Sequence, residues 1–157
     1  MSAGYSASTV AEAFGEAFVA AAQTAIADPT VWIGFGLPGQ PYPDDSVVIG
    51  KITSQQMFGP MGNRSRDEIL ELECSIEVVR VGGQQVEQVV RARAYALLSL
   101  IERYCRVTDT NLGGSAGAVR ECWLISHTLD TAQADDDSES RIAAVLAVFQ
   151  AKARITG

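Results

Sequence analysis

The chain of 157 residues is poor in the residue types that most chemistry uses. It has one histidine, His127, and three cysteines, Cys74, Cys105 and Cys122. The cysteines are odd in number and form no C-x-x-C pair, which argues against a disulfide framework or a zinc site and for a reducing compartment. Basic residues are also scarce: 12 Lys and Arg against 19 Asp and Glu give a net charge of -7. A protein that neutralises phosphates needs the opposite balance, so tight nucleic-acid binding is not expected. Long apolar runs are missing too. The run from Phe14 to Ala27 is interrupted by Gly15, Glu16 and Gln23 and is too short to span a bilayer. The opening Met1 to Tyr5 has no basic segment, so no signal peptide and no membrane association are expected, and the protein should be soluble and intracellular when made.

What is present is a globular composition, 47% hydrophobic and 20% charged, of a length that suits one domain over 1–157. The clearest pattern lies between Asp67 and Val81. Leu70, Leu72, Cys74, Ile76 and Val78 alternate with Glu71, Glu73, Ser75 and Glu77. Successive strand side chains point to opposite faces, so this spacing predicts a long, half-buried strand with one apolar and one charged face. The charged face must meet water, a partner or a neighbouring subunit, because unpaired carboxylates do not enter a dry core.

The remaining segments arrange themselves around that strand. Thr9 and Glu12 have capping-box spacing ahead of an apolar stripe of Val10, Phe14, Ala17, Ala21 and Ala25, which predicts a helix from Thr9 to Ala27, ended by Asp28-Pro29. Thr30 to Phe35 is a short β-prone run, residues 36–45 a Pro/Gly loop, and Val47 to Ile52 a strand. Gly82-Gly83 marks a turn. Val86, Val90, Ala94, Leu97, Ile101 and Tyr104 then predict a second helix, Gln84 to Arg106, with Glu87 and Arg91 at i, i+4. Ala118 to Leu129 reads as a strand and residues 130–140 as a solvated acidic loop. Arg141 to Ile155 is alanine-rich, which favours a helix, yet Ala143, Val145, Ala147, Phe149 and Ala151 alternate with Ile142, Ala144, Leu146 and Val148, so it reads as a final strand buried on both faces, with a helix as the alternative. Two amphipathic helices need one apolar sheet face, so the expected fold is α+β. It is a two-layer sandwich, a mainly antiparallel sheet of about four to five strands covered on one face by two helices.

Motifs that resemble catalytic ones fail on context. Gly34-x-Gly-x-x-Gly39 matches a dinucleotide loop, but Pro38, Pro41 and Pro43 prevent the helix start that would hold a pyrophosphate. Gly113-x-Ser115-x-Gly117 matches a nucleophile elbow in letters alone, since the order here is helix, loop, strand, and His127 lies in the strand. A lone strand histidine is more often structural than catalytic. Glu71, Glu73 and Glu77 share a face, but no Asp/Asn/Gly loop accompanies them as in a calcium site. No catalytic residue, cofactor or metal is expected, and the sequence does not read as an enzyme.

Several stretches together resemble the tail terminator, or tail completion, proteins of long-tailed bacteriophages. They are Val31 to Gly39, Ser46 to Ile52, the strand Glu71 to Val81, the helix pattern from Val86 to Glu102, Leu112-Gly-Gly, and the closing Arg141 to Ile155. The resemblance covers nearly the whole chain and rests on hydrophobicity and turn residues. It implies a small α+β protomer that forms a hexameric ring in the virion, at the head-proximal end of the tail, after synthesis in the host cytoplasm. Such a ring stops tube polymerisation and joins the tail to the head. Its partners would be further copies of itself, the tail tube protein and a head–tail connector protein. Genomic DNA would pass without specific binding, because an acidic wall releases no counterions. A head-closure or connector-adaptor ring of the phage neck is the alternative, and a small α+β binding or enzymatic domain the contrasting class.

The connector from Ser54 to Arg66 is expected to project as an arm, since connections of about twelve residues or more without structure of their own are usually functional or disordered. It holds the large apolar Met57, Phe58 and Met61 beside Arg64 and Arg66. Phe58, Met61, Arg64 and Arg66, with Glu71, Glu73 and Glu77, are therefore the expected subunit or partner interface, the arginines reaching a neighbour's glutamates or lying near passing DNA.

Overall fold

The alternation between Asp67 and Val81 does fold as a strand, and it lies in the middle of the sheet. A computed structural model describes residues 8–39, 42–58, 65–112, 119–133 and 140–155. In chain order the elements are α1 (Ala11–Ile26), β1 (Val31–Phe35), β2 (Asp45–Phe58), β3 (Arg66–Val81), α2 (Glu87–Arg103), β4 (Val119–Gln133) and β5 (Ser140–Ile155). A 3-10 turn, Gln84–Val86, leads into α2, and a π-helical turn, Tyr104–Thr108, leads out of it. The five strands form one sheet in the order β1-β2-β3-β5-β4, parallel between β1 and β2 and antiparallel elsewhere. The two helices pack against it, α1 over β1 and β2 and α2 over β3 and β5. This is the expected α+β sandwich.

Leu70, Leu72, Cys74, Ile76 and Val78 all face the helices and are fully buried. β5 lies beside β3 in unbroken register from Arg66↔Ile155 to Val81↔Ser140, so Ala143, Val145, Ala147, Phe149 and Ala151 join the same inner face. Leu97 and Ile101 of α2 close over Leu72 and Ile76 in one buried cluster. From α1, Phe18 stacks on Phe149 with ring centroids 4.9 Å apart, and Phe14 meets Phe18 edge-on at 6.2 Å.

A β-bulge between Ile49 and Ile52 keeps both isoleucines on the inner face of β2, because one extra residue restores the alternation. At Gly82, φ is +143° and a Cβ would lie 2.6 Å from Val86 Cγ1, so a residue with a side chain could not make the turn into α2.

Four local expectations change. The connector at 54–66 is not a structureless arm: Ser54 to Phe58 extend β2, and Arg66 opens β3, pairing with Phe58. The capping box does not form, since the cap position is Val10 without a side-chain bond, and Glu12 is exposed. Instead the Val10 N–H donates to Glu68 Oε1 at 2.9 Å, and Thr9 Oγ1 accepts from the Ala11 N–H at 3.1 Å. The i, i+4 ion pair of the helix is Glu102 with Arg106, at 2.6 Å, rather than Glu87 with Arg91. Finally, β5 is buried on one face only. Leu146 is 41% exposed, and Ile142, Ala144 and Val148 are half-buried, because among the described residues no helix covers this face and only the crossover from β1 to β2 lies over its Ile142 end.

Candidate assembly surface

The inner face of the sheet is closed by helices, and the outer face is open. The register of β3 against β5 sets Glu71 beside Gln150, Glu73 beside Val148, Ser75 beside Leu146, Glu77 beside Ala144 and Val79 beside Ile142. A column of carboxylates therefore runs directly alongside an apolar row, Ile142, Ala144, Leu146 and Val148. Glu71 and Glu77 are exposed and Glu73 half-buried, and none of the three makes an ion pair among the described residues. No cluster of metal-ligating side chains exists among the described residues.

The margins of this face are built differently. At one end the crossover from β1 to β2 returns over the outer side, and Leu37, Tyr42, Pro43 and Asp44 enclose a cavity of about 320 Å³ with Ser46, Glu77, Val79 and Ile142. Leu37 and Tyr42 remain 62% and 59% exposed. At the other end Lys152 lies 5.6 Å over the Trp123 ring and 3.6 Å from Glu121, so its charge is directed to β4 rather than to the glutamates.

Of the residues expected to form an interface, Glu71, Glu73 and Glu77 come together on this face. Arg66 is exposed but sits in the inward phase of β3, with Glu68 and Leu70. It is therefore on the opposite side of the sheet from the three glutamates of its own chain. Met61 and Arg64 lie outside the described residues, as does the side chain of Phe58. Neighbouring Met57 is 51% exposed. The Gly34 to Gly39 motif is the end of β1 and the start of the crossover, with no helix before β2. Ser115 lies outside the described residues, and exposed His127 stacks edge-on against Tyr95, ring centroids 5.4 Å apart.

Two polar clusters escaped the sequence reading. Glu68 has no accessible surface and accepts hydrogen bonds from the hydroxyls of Thr9 and Ser54, from the Val10 N–H, and from Gln56 Nε2 at 3.2 Å. Burial pushes its carboxyl pKa up, but the donors, Ser54 and Thr9 foremost, outweigh that and hold it below the ordinary glutamate value. Glu68 thus joins the start of α1 to β2 and β3. At the other end of the sheet, buried Asp45 accepts from Arg80 at 2.6 Å and Arg93 at 2.9 Å, and Arg93 reaches Asp28 at 3.3 Å. Burial also raises the Asp45 pKa, and the two arginines more than offset it. The sequence did carry a signal for Glu68, since it is an acid in the apolar phase of β3. Asp45 had none beyond following a loop.

No protein-family model matches the chain, and no curated protein matches its sequence. Among the described residues no helix is long and apolar enough to cross a membrane.

Proposed function

We propose that the chain is a structural subunit that assembles into a ring, and specifically a tail terminator that caps the tail tube of a long-tailed bacteriophage and joins it to the head. The observation that carries this reading is the outer face of the sheet. A subunit working alone has no use for an apolar row on its sheet, flanked by carboxylates that make no ion pair among the described residues. A subunit of an assembly does, because exposed apolar surface rimmed by charge marks interfaces. The buried charged residues, Glu68 and Asp45, are matched within the chain and brace the fold. The resemblance supplies the hexameric ring and the virion setting. The net charge of -7 suits a lumen through which DNA passes without being held.

Labelling the chain in purified virions tests the assignment. Signal at the head-proximal end of the tail, and tubes of uncontrolled length when the chain is removed, is the expected outcome. Signal at the portal with normal tubes assigns the chain to head closure. A chain that stays single in the presence of tail tube protein overturns the ring reading.

A further inference from the structure

The helix layer has an uncovered apolar surface of its own. Val89, Ala92, Ala96 and Leu100 recur every three or four residues along α2, all exposed, Val89 at 52% and Leu100 at 42%. They are not the core stripe: Val90, Ala94, Leu97, Leu98 and Ile101 are centred about 140° away round the helix, at about 100° per residue. The charged side chain standing in the outward stripe is Arg103, which is exposed and makes no ion pair among the described residues. Arg93 borders it, half-buried in its bridge to Asp45.

The stripe matches the outer sheet face in three respects. Both are apolar along their midline. Their lengths agree, since Val89 to Leu100 spans about 17 Å of helix and Ile142 to Val148 about 20 Å of strand. Their charges are opposite, arginine on the helix and the Glu71, Glu73 and Glu77 column on the sheet. Two outer faces meeting each other would instead set glutamates against glutamates, which like-charge repulsion disfavours.

We propose that the outward stripe of α2 in one copy docks on the uncovered β3–β5 face of the next, in an inference that rests on the ring-forming reading above. The contact uses different patches on the two copies, so it is head-to-tail and a docked pair still offers one free patch of each kind. Because the stripe is not diametrically opposite the sheet, the chain of copies curves rather than running straight. The sheet then ends between two helix layers, its own α2 inside and a neighbour's outside, and the half-covered row on β5 becomes buried on both faces.

Cysteine cross-linking tests this directly, because Cys74, Cys105 and Cys122 are all buried and stay out of the reaction. Leu100→Cys and Leu146→Cys chains are mixed, oxidised briefly and read on a non-reducing gel beside a control mixture of Thr30→Cys and Leu146→Cys. The expected result is a mixed dimer forming several-fold faster than in the control, with neither variant linking to itself. Arg103→Glu should slow the linking several-fold, and Glu73→Lys in the other partner should restore part of it. Self-linking of Leu146→Cys as fast as the mixed reaction would mean that sheets meet face to face and overturns the proposal. Preference no greater than the control, while the unmodified chain forms multi-copy particles, overturns this interface and leaves the ring reading standing. No preference together with a single-chain mass at every concentration overturns both.

Discussion

β3 carries glutamates on both of its faces, and the two sets are treated in opposite ways. Glu68 points inward, has no accessible surface and is held by four donors, two from the residues leading into α1 and two from β2. Glu71, Glu73 and Glu77 point outward and have no such donors among the described residues. The same contrast holds for apolar residues. On β5, Val145 and Phe149 are buried by helices, while Leu146 between them stays 41% exposed. A buried charge without partners costs several kcal/mol, so the inner face had to be completed within the subunit. The outer face carries no such obligation, and its mixture of acid and apolar side chains suits something that arrives later.

The largest expected effect comes from the covered face. Leu97→Ala or Ile101→Ala should lower stability by about 2–5 kcal/mol, since each leaves a cavity in a closed core. Leu146→Ala, in the isolated chain, should cost less than about 1 kcal/mol, because much of that side chain already contacts water. Denaturant titration of the three variants measures the gap. Equal losses at Leu97 and Leu146 would break the distinction between the faces.

Glu68 gives the next effect. Glu68→Gln should cost about 1–3 kcal/mol, the range for leaving buried donors without an acceptor. The pH dependence has a definite sign. The folded pKa is held below its ordinary value, so the stabilisation is complete above the unfolded value of about 4.3 and is lost as pH falls through the folded one. Acid titration of unfolding free energy should therefore be shallower in Glu68→Gln than in the parent.

The cysteines sharpen the comparison at smaller cost. All three lie among inward-facing residues as free thiols. Burial, with Cys105 nearby, pushes Cys74 up to about 12, and a thiol hydrogen bond with Cys105, together with burial, also raises Cys122. Alkylation of the native chain near pH 8 should be slow at every site, and three adducts should appear by intact mass once the chain is unfolded without reductant. Smallest of all, His127→Ala should change stability by no more than about 0.5 kcal/mol, as expected of an exposed strand residue.

Much of this architecture was legible in the letters. β3 could be read because its apolar and acidic residues alternate without interruption, and α2 because its core residues keep helical spacing. β2 was cut short at Ile52 for a physical reason. Its inward residues beyond the bulge include Ser54 and Gln56, which face Glu68 and donate to it, so a polar cluster replaces the apolar alternation that marks a strand. The parallel pairing of β1 leaves no periodic trace, because strand direction is set by where the crossover runs. β5 was misjudged on one point: an apolar run on both faces looks the same whether its second cover comes from the chain itself or from elsewhere. That ambiguity is why the candidate surface was only half legible, its acids visible in β3 and its apolar row taken for core.

The central claim is that the uncovered face is where copies meet, and the particle mass of the purified chain and of Leu146→Asp tests it most directly. The parent should reach a multiple of 16.7 kDa as concentration rises. The variant should remain at 16.7 kDa while unfolding at the same temperature as the isolated parent chain. A parent that stays single at every concentration, or a variant that assembles as readily as the parent, would contradict the account.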